Sequence, residues 1–333
     1  MDPLRIVAIG GGTGLSTVLH GLKEYAGDSG EADITAVVTV SDDGGSSGRL
    51  RREFDVLPPG DIRNCLVALS EDEALLSKLF QYRFSEGRGL KGHSFGNLFL
   101  TALTNLTGDF ARAVRFSSEV LASLGRIYPA TEANVVLEAE LENGRSVRGE
   151  TKISKSRSPI RRIRLRPRTC KPLRETLEAI EQADLITLGP GSLFTSVIPN
   201  LLVQGIPEAI RRSRAIRAYF VNLMWQPGET IGFRASDHVA AIEQHAGKLL
   251  DVVVVNTRSI SGKQRRKYAV KEVHAVLNDV DRLAEKGLEV VTADLLADGD
   301  TVRHDPRLTA AVAMDLARRG RSAGRKIRVL ATK

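Results

Sequence analysis

Short runs of β-branched and aliphatic residues alternate along the chain with longer stretches whose apolar positions recur every three or four residues. Leu4 to Ile9 is a strand run buried on both faces, closed by Gly10-Gly11-Gly12; Thr13-Gly14-Leu15-Ser16 then opens a helix with Val18, Leu19 and Leu22 on one side. Ile34 to Val40 is a second strand. It ends in the polar turn Ser41-Asp42-Asp43-Gly44-Gly45-Ser46-Ser47-Gly48, and a further turn at Pro58 to Asp61 leads to a helix over 62–69 with Asp61 as its N-cap. Helical spacing also covers 75–84, 94–106 and 110–124.

Near residue 130 the texture changes. Val135 to Leu141, then Asn143-Gly144, then Arg145 onward predicts a β-hairpin with a type I′ turn, and Ile160 to Leu165 a basic strand at its edge. The alternation then resumes, with strands at 185–188, 216–221, 250–255 and 288–291 and helices at 237–249 and 306–318. Strands alternating with helices predict an α/β fold, doubly wound around a mostly parallel sheet covered on both faces. The boundaries read as one domain over 1–320, a basic β-hairpin insertion over 130–170, and a disordered basic tail over 321–333.

Charge sharpens this division. The net charge is +8, yet residues 145–174 hold twelve Lys or Arg against the single acid Glu150, and residues 318–333 add seven more with no acid, which leaves the body at −10. Nucleic acid is therefore not an expected partner of the fold as a whole, and the insertion and tail would have to carry any such contact. In the insertion strand, Ile160, Ile163 and Leu165 alternate with Arg, so one face packs and the other is solvated. No stretch reaches the ~20 apolar residues of a membrane span, and the first residues run straight into a strand. Cys65 and Cys170 are far apart and have no CxxC partner, which points to a reducing, cytoplasmic setting and away from structural zinc.

Five polar or glycine-rich turns lie where the carboxyl edge of the sheet is expected, the edge at which open parallel sheets bind ligands. Gly11, Gly12, Thr13 and Gly14 let backbone amides approach an anion at a helix start, although the spacing matches neither a P-loop nor GxGxxG. Asp42 and Asp43 are suited to Mg²⁺ or a ribose diol; Ser46 and Ser47 leave room for a ligand, and Arg49 is placed to meet phosphate. Asp61 and Asn64 follow Pro58-Pro59-Gly60, His93 and Asn97 lie at another helix start, and Gly189, Pro190, Gly191, Ser192 and Thr195 form a second strand–turn–helix with Asn222 near it. Each turn also has a plain structural explanation, as a tight bend, an Asx turn or a cap. A Ser-His-Asp hydrolase is disfavoured because no GxSxG elbow exists, and NAD binding because the glycine pattern is broken.

The stretches GGGTGLS, SDDGGSSGRLR, PPGDIRN, KGHSFGNL, LGPGSLFTSVIPNLL and QPGET together resemble the gluconeogenesis factor family, the YvcK-like branch of the CofD-like superfamily, from about residue 4 to about residue 317. The resemblance implies a Rossmann-like three-layer fold. In the superfamily's enzyme branch a 2-phospho-lactyl group moves from a nucleotide diphosphate donor to a deazaflavin alcohol with Mg²⁺. Asp42 and Asp43 match the metal-side carboxylates, with Asp61 joining them, and the turns at 10–14 and 189–192 match the phosphate cradle. The YvcK-like branch has no established reaction. It is similar to proteins that bind UDP-N-acetylglucosamine and support cell shape and wall synthesis during gluconeogenic growth, which implies a nucleotide-sugar ligand, a protein partner in wall synthesis and a possible homo-oligomer. The run from Asp42 to Arg51 looks like this branch and departs from the transferase branch; Tyr268 and Arg303 match positions against the sugar-nucleotide.

Overall fold

The computed structural model describes residues 2–27, 29–71, 75–270 and 272–331, with side chains of the last helix described to Ala323. Ten strands occur among them: β1 (Leu4–Gly10), β2 (Ala32–Val38), β3 (Arg126–Pro129), β4 (Val136–Leu141), β5 (Ser146–Arg148), β6 (Ile160–Arg166), β7 (Leu185–Leu188), β8 (Ile216–Phe220), β9 (Val252–Asn256) and β10 (Glu289–Ala293). Seven form one parallel sheet in the order β10-β9-β8-β7-β1-β2-β3. The order reverses at β1, whose neighbours are β2 and β7, so the topological switch point lies between the turns that follow β1 and β7.

The central strands are apolar end to end because both faces are covered. Ile6, Val7, Ala8 and Ile9 of β1, all four residues of β7 and Val252 to Val255 of β9 are buried. The helix Gly12–Leu22 packs on Gly60–Leu69 and on the final helix, while Arg174–Gln182, Ile206–Arg212 and Ala235–Ala246 belong to the other layer. This is the Rossmann-like three-layer arrangement.

The insertion is a separate antiparallel sheet, β5-β4-β6. Its turn differs from the expected type I′. Gly144 alone has positive φ (79°), and its N–H donates to Leu141 O at 3.0 Å, so a type I bend is followed by a left-handed glycine. Ile160, Ile163 and Leu165 are buried as their spacing predicts. The outer face is less basic than its sequence, because Arg148 and Arg166 pair with Glu138, and Arg161 and Arg164 with Glu140. Nor does its edge strand stand open: the Ile163 N–H donates to His245 Nε2 at 3.0 Å.

Two expected stretches take another form. The polar segment after Asp43 is a helix, Gly45–Phe54, and not an extended turn. The segment expected to be a disordered tail continues the final helix, Pro306–Ala331, and Arg321 pairs with Asp184 at the amino edge of the sheet; residues 332–333 lie outside the described residues. Among the described residues no single helix is long and apolar enough to cross a membrane.

Candidate functional site

A cavity of about 370 Å³ sits at the switch point. Gly11, Gly12, Thr13 and Gly14 form one side and Pro190, Gly191 and Ser192 the other, with Asp61, Asn222 and Arg303 completing the wall. The two turns touch. A Cβ on Gly14 would lie 2.2 Å from Pro190 O, so only glycine lets the first helix start this close to the second turn.

The amides of the two turns are used differently. Gly12 N–H faces the Asp61 carboxylate, while the Thr13 and Gly14 amides open a helix and meet no acceptor among the described residues. In the second turn Gly191 N–H donates to Asn222 Oδ1 at 3.0 Å, and Asn222 Nδ2 returns a bond to Gly191 O at 2.9 Å. Phe194 N–H donates to Glu229 Oε2 and Thr195 Oγ1 to Glu229 Oε1, each at 3.0 Å. Thus a buried carboxylate already satisfies the start of the π-helical turn Leu193–Val197. Thr195 lies behind the cavity wall for that reason.

Asp61 is not the helix cap that its position suggests; Pro59 holds that place, and Asp61 reaches across to the first turn. Burial, then the neighbouring Asp42, push its carboxyl up to about 6. Asp42 Oδ1 accepts the Gly44 N–H at 2.7 Å. Asp43 turns away from the cavity: its Oδ1 accepts both the N–H (2.8 Å) and the hydroxyl (2.7 Å) of Thr151, in the short helix Glu150–Ile153 of the insertion. The two adjacent carboxylates therefore face different partners, with Asp43 Oδ1 taken up by the first turn of that helix. Gly149, at φ 94°, completes the joint, since a Cβ there would sit 2.1 Å from Asp43 Oδ2.

That joint brings Glu150 into the cavity wall, a residue that sequence reasoning missed. Its carboxyl makes no hydrogen bond or ion pair among the described residues. Burial, then Asp42, Asp61, Glu229 and Asp43, push its carboxyl up to about 9. Glu229 itself is pushed up to about 7 by burial, against the opposing pull of its Thr195 and Phe194 bonds.

The remaining expected residues form a second group around Arg63. Its guanidinium donates to Ser94 Oγ (2.6 Å), Asn97 Oδ1 (3.1 Å) and Asn64 Oδ1 (2.7 Å). Ser46 Oγ lies 2.9 Å from His93 Nδ1, and Arg49 donates to Lys91 O at 2.7 Å. Burial and the nearby Arg49 lower the His93 pKa. Ser47 is buried against Gly60, and Gly189 lies behind the turn; none of this group lines the cavity. Asn64 instead opens on a neighbouring cavity of about 460 Å³ that shares Thr13 with the first.

Arg303 lines the cavity from the far side, exposed, beside His304. Tyr268 does not line it: on the helix Gly262–Ala269, its hydroxyl accepts the Val302 N–H at 3.1 Å and so holds the segment that presents Arg303. Trp225 is half-buried and reaches the wall, its indole N–H bonded to Phe233 O at 3.0 Å. Gln226 braces Ser192 Oγ at 2.8 Å.

A glycine-lined cavity at the switch point of a seven-stranded parallel sheet, flanked by acids, is the ligand-site arrangement of a Rossmann-like α/β protein. Residues 6–296 fit the family described as 2-phospho-L-lactate transferase CofD, and the chain belongs to that superfamily, within its gluconeogenesis factor family. It is 52% identical over 312 residues to a putative gluconeogenesis factor of Nostoc sp., covering 92% of this chain and 67% of that one. It is 48% identical over 314 residues to the gluconeogenesis factor of Bacillus subtilis, covering 94% and 98%. A crystal structure of a UPF0052 family protein from Bacillus halodurans superposes with a TM-score of 0.90 at 47% identity, over 94% of this chain and all of that one.

Proposed function

We propose that the switch-point cavity holds the diphosphate of a nucleotide-linked ligand. UDP-N-acetylglucosamine is the ligand that the family resemblance implies. The observation that carries this reading is the contact between the Gly11–Gly14 and Pro190–Ser192 turns on one cavity that also receives Arg303. The free Thr13 and Gly14 amides at a helix start favour an anion, and Arg303 supplies a positive charge for a phosphate. On this reading the protein is a cytoplasmic, ligand-responsive regulator of wall synthesis and cell shape during gluconeogenic growth, working through a protein partner. Its two cysteines are buried and unbridged, in keeping with that compartment.

Mg²⁺ fits the residues present in one way. Among the described residues no three His, Cys, Asp or Glu side chains come close enough to share an ion. Mg²⁺ needs no such cage, because one or two carboxylates plus ligand phosphates suffice. Asp61 and the Asp42 that pushes its carboxyl up would hold it, and Asp43, bonded to Thr151, would not. When bound, the ion would offset phosphate charge; the chain's own part is to fix the diphosphate with amides and Arg303.

A second reading has the family match behind it, since the matched family is described as 2-phospho-L-lactate transferase; the resemblance implies that such transfer is Mg²⁺-dependent and starts from a nucleotide diphosphate donor. That match supports chemistry more directly than any observation supports regulation. Titration calorimetry of the intact chain with UDP-N-acetylglucosamine, with and without Mg²⁺, separates the readings. The first expects binding without turnover. No heat, together with product formed from a deazaflavin alcohol and a nucleotide diphosphate donor, assigns the site to the second.

A further inference from the structure

The helices Leu75–Gln81 and Phe95–Thr107 form a hairpin. Phe95 N–H donates to Tyr82 O at 2.8 Å, which ties the end of the first helix to the start of the second. Between them the buried Phe80 packs on Phe95 and Phe99, with ring centroids 5.9 and 5.0 Å apart.

The outer side of this hairpin is apolar and open. Leu75 is 77% exposed, Leu106 82% and Tyr82 52%, and Leu76 and Leu79 are exposed beside them. Leu75, Leu79 and Tyr82 recur at spacings of four and three, so they form one stripe. Phe99, Leu103 and Leu106 repeat the same spacing on the second helix, with Ala102 at their border. Elsewhere, exposed apolar side chains such as Phe54, Ile231 and Leu308 lie on separate segments, as single surface residues commonly do.

Size and sign together indicate what covers the face. Its side chains expose on the order of 500 Å² of apolar surface, near the upper end for a monomer and enough for the centre of a standard interface of ~800 Å² per partner. A two-fold interface sets one surface against itself, so any charge on it meets its own like. The described residues of the two stripes carry none. Ser77, Lys78 and Gln81 turn instead to the neighbouring cavity of about 460 Å³, and Asn97 and Thr101 are buried on the inner side. A neutral, apolar helix pair therefore suits a copy of itself, and two such hairpins make a four-helix layer.

We propose that the outer face of this helical hairpin is a two-fold dimer interface, with Leu75, Leu79, Tyr82 and Leu106 of one copy buried against the same face of a second copy of this chain.

The test is sedimentation velocity of the intact chain over a hundredfold range of concentration reaching into the micromolar. The wild type is expected to sediment at twice the 36.2 kDa of one chain. The double variant Leu75→Asp, Leu106→Asp is expected to sediment as a single chain, its dissociation constant raised at least about a hundredfold, because like charges then face one another across the axis. Both side chains are exposed within one chain, so its far-ultraviolet circular dichroism should match the wild type. Mixing it with Leu75→Lys, Leu106→Lys should restore the doubled mass that neither variant shows alone. Ile231→Asp, at an exposed apolar residue off the hairpin, should leave the dimer intact. A dimer that survives the aspartate double variant uses another face and overturns the proposal. A wild type that stays single at every concentration also overturns it. The face then belongs to a lipid surface if the chain floats with phosphatidylcholine vesicles, and to a different protein if it does not.

Discussion

After β1 the chain turns through Gly11 and Gly12 into a helix whose Thr13 and Gly14 amides find no acceptor among the described residues. After β7 it turns through Pro190 and Gly191 into another, whose Gly191 and Phe194 amides are already bonded to Asn222 and Glu229. The turns are similar in composition and lie side by side. Each turn has a buried acid, and what separates them is its reach: Asp61 meets only the Gly12 amide, whereas Glu229 takes the Phe194 amide and the Thr195 hydroxyl, the place an external anion would otherwise fill. Glycine in such a turn reports close approach of backbone; whether the approach serves a ligand depends on where the amides' acceptors come from.

Several substitutions would break or sharpen this contrast. The largest effect should come from Gly14→Val, which forces side-chain atoms into Pro190 O; we expect a loss of more than ~3 kcal/mol in urea unfolding, because neither backbone can yield. Glu229→Ala strands the Phe194 amide and Thr195 hydroxyl and should cost about 2–3 kcal/mol. A stability equal to wild type would show that the second turn does not depend on its internal anion. Arg303→Ala should weaken UDP-N-acetylglucosamine about tenfold in calorimetry with no change in urea midpoint. Tyr268→Phe should give a smaller loss of affinity, since it removes one support of Val302 and no direct contact.

The acids of the first turn make a pH prediction. Asp61 at about 6 and Glu150 at about 9 both bind protons more tightly folded than unfolded. The folded protein therefore carries the extra protons between the ordinary carboxylate range and those values, and its stability falls as pH rises from about 5 to 9. In chelator-treated, ligand-free protein, Glu150→Gln should flatten the upper part of that slope, a gain on the order of 1 kcal/mol at the alkaline end. Glu138 runs the other way: its hydrogen bonds from Arg166 and Arg148 pull it down to about 2, so its contribution is present above the ordinary range and fades only in strong acid.

Much of the fold was legible because buried strands of a parallel sheet leave unmixed apolar runs; Leu185–Leu188 has the same bounds in sequence and structure. Arg126–Pro129 was not, because an edge strand carrying Arg and Pro lacks that signal. Gly45–Phe54 was missed since Gly and Ser are poor helix formers, and contacts such as Ser46 with His93 hold it instead. The final helix was cut short because Gly320 reads as a stop, yet the helix passes through it.

At the site, the glycine turns, Asp61, Asn222 and Arg303 were foreseen and meet. Glu150 was out of reach: more than a hundred residues separate it from Asp43, and only the folded insertion joins them. Asp43 shows the converse. Beside Asp42 it reads as half of a metal pair, but neighbours in sequence need not face the same way, and an amide and a hydroxyl from Thr151 claim it.

Arg321 reaches Asp184 and also donates to the backbone carbonyls of Asp2 and Pro3, beneath β1 and β7 and away from the cavity. A truncation placed at residue 320 would therefore cut a strap that cinches the sheet's lower rim. The same proximity makes residues 2 and 321 a natural seam for circular permutation, where a linker or an attached reporter would leave the ligand mouth clear.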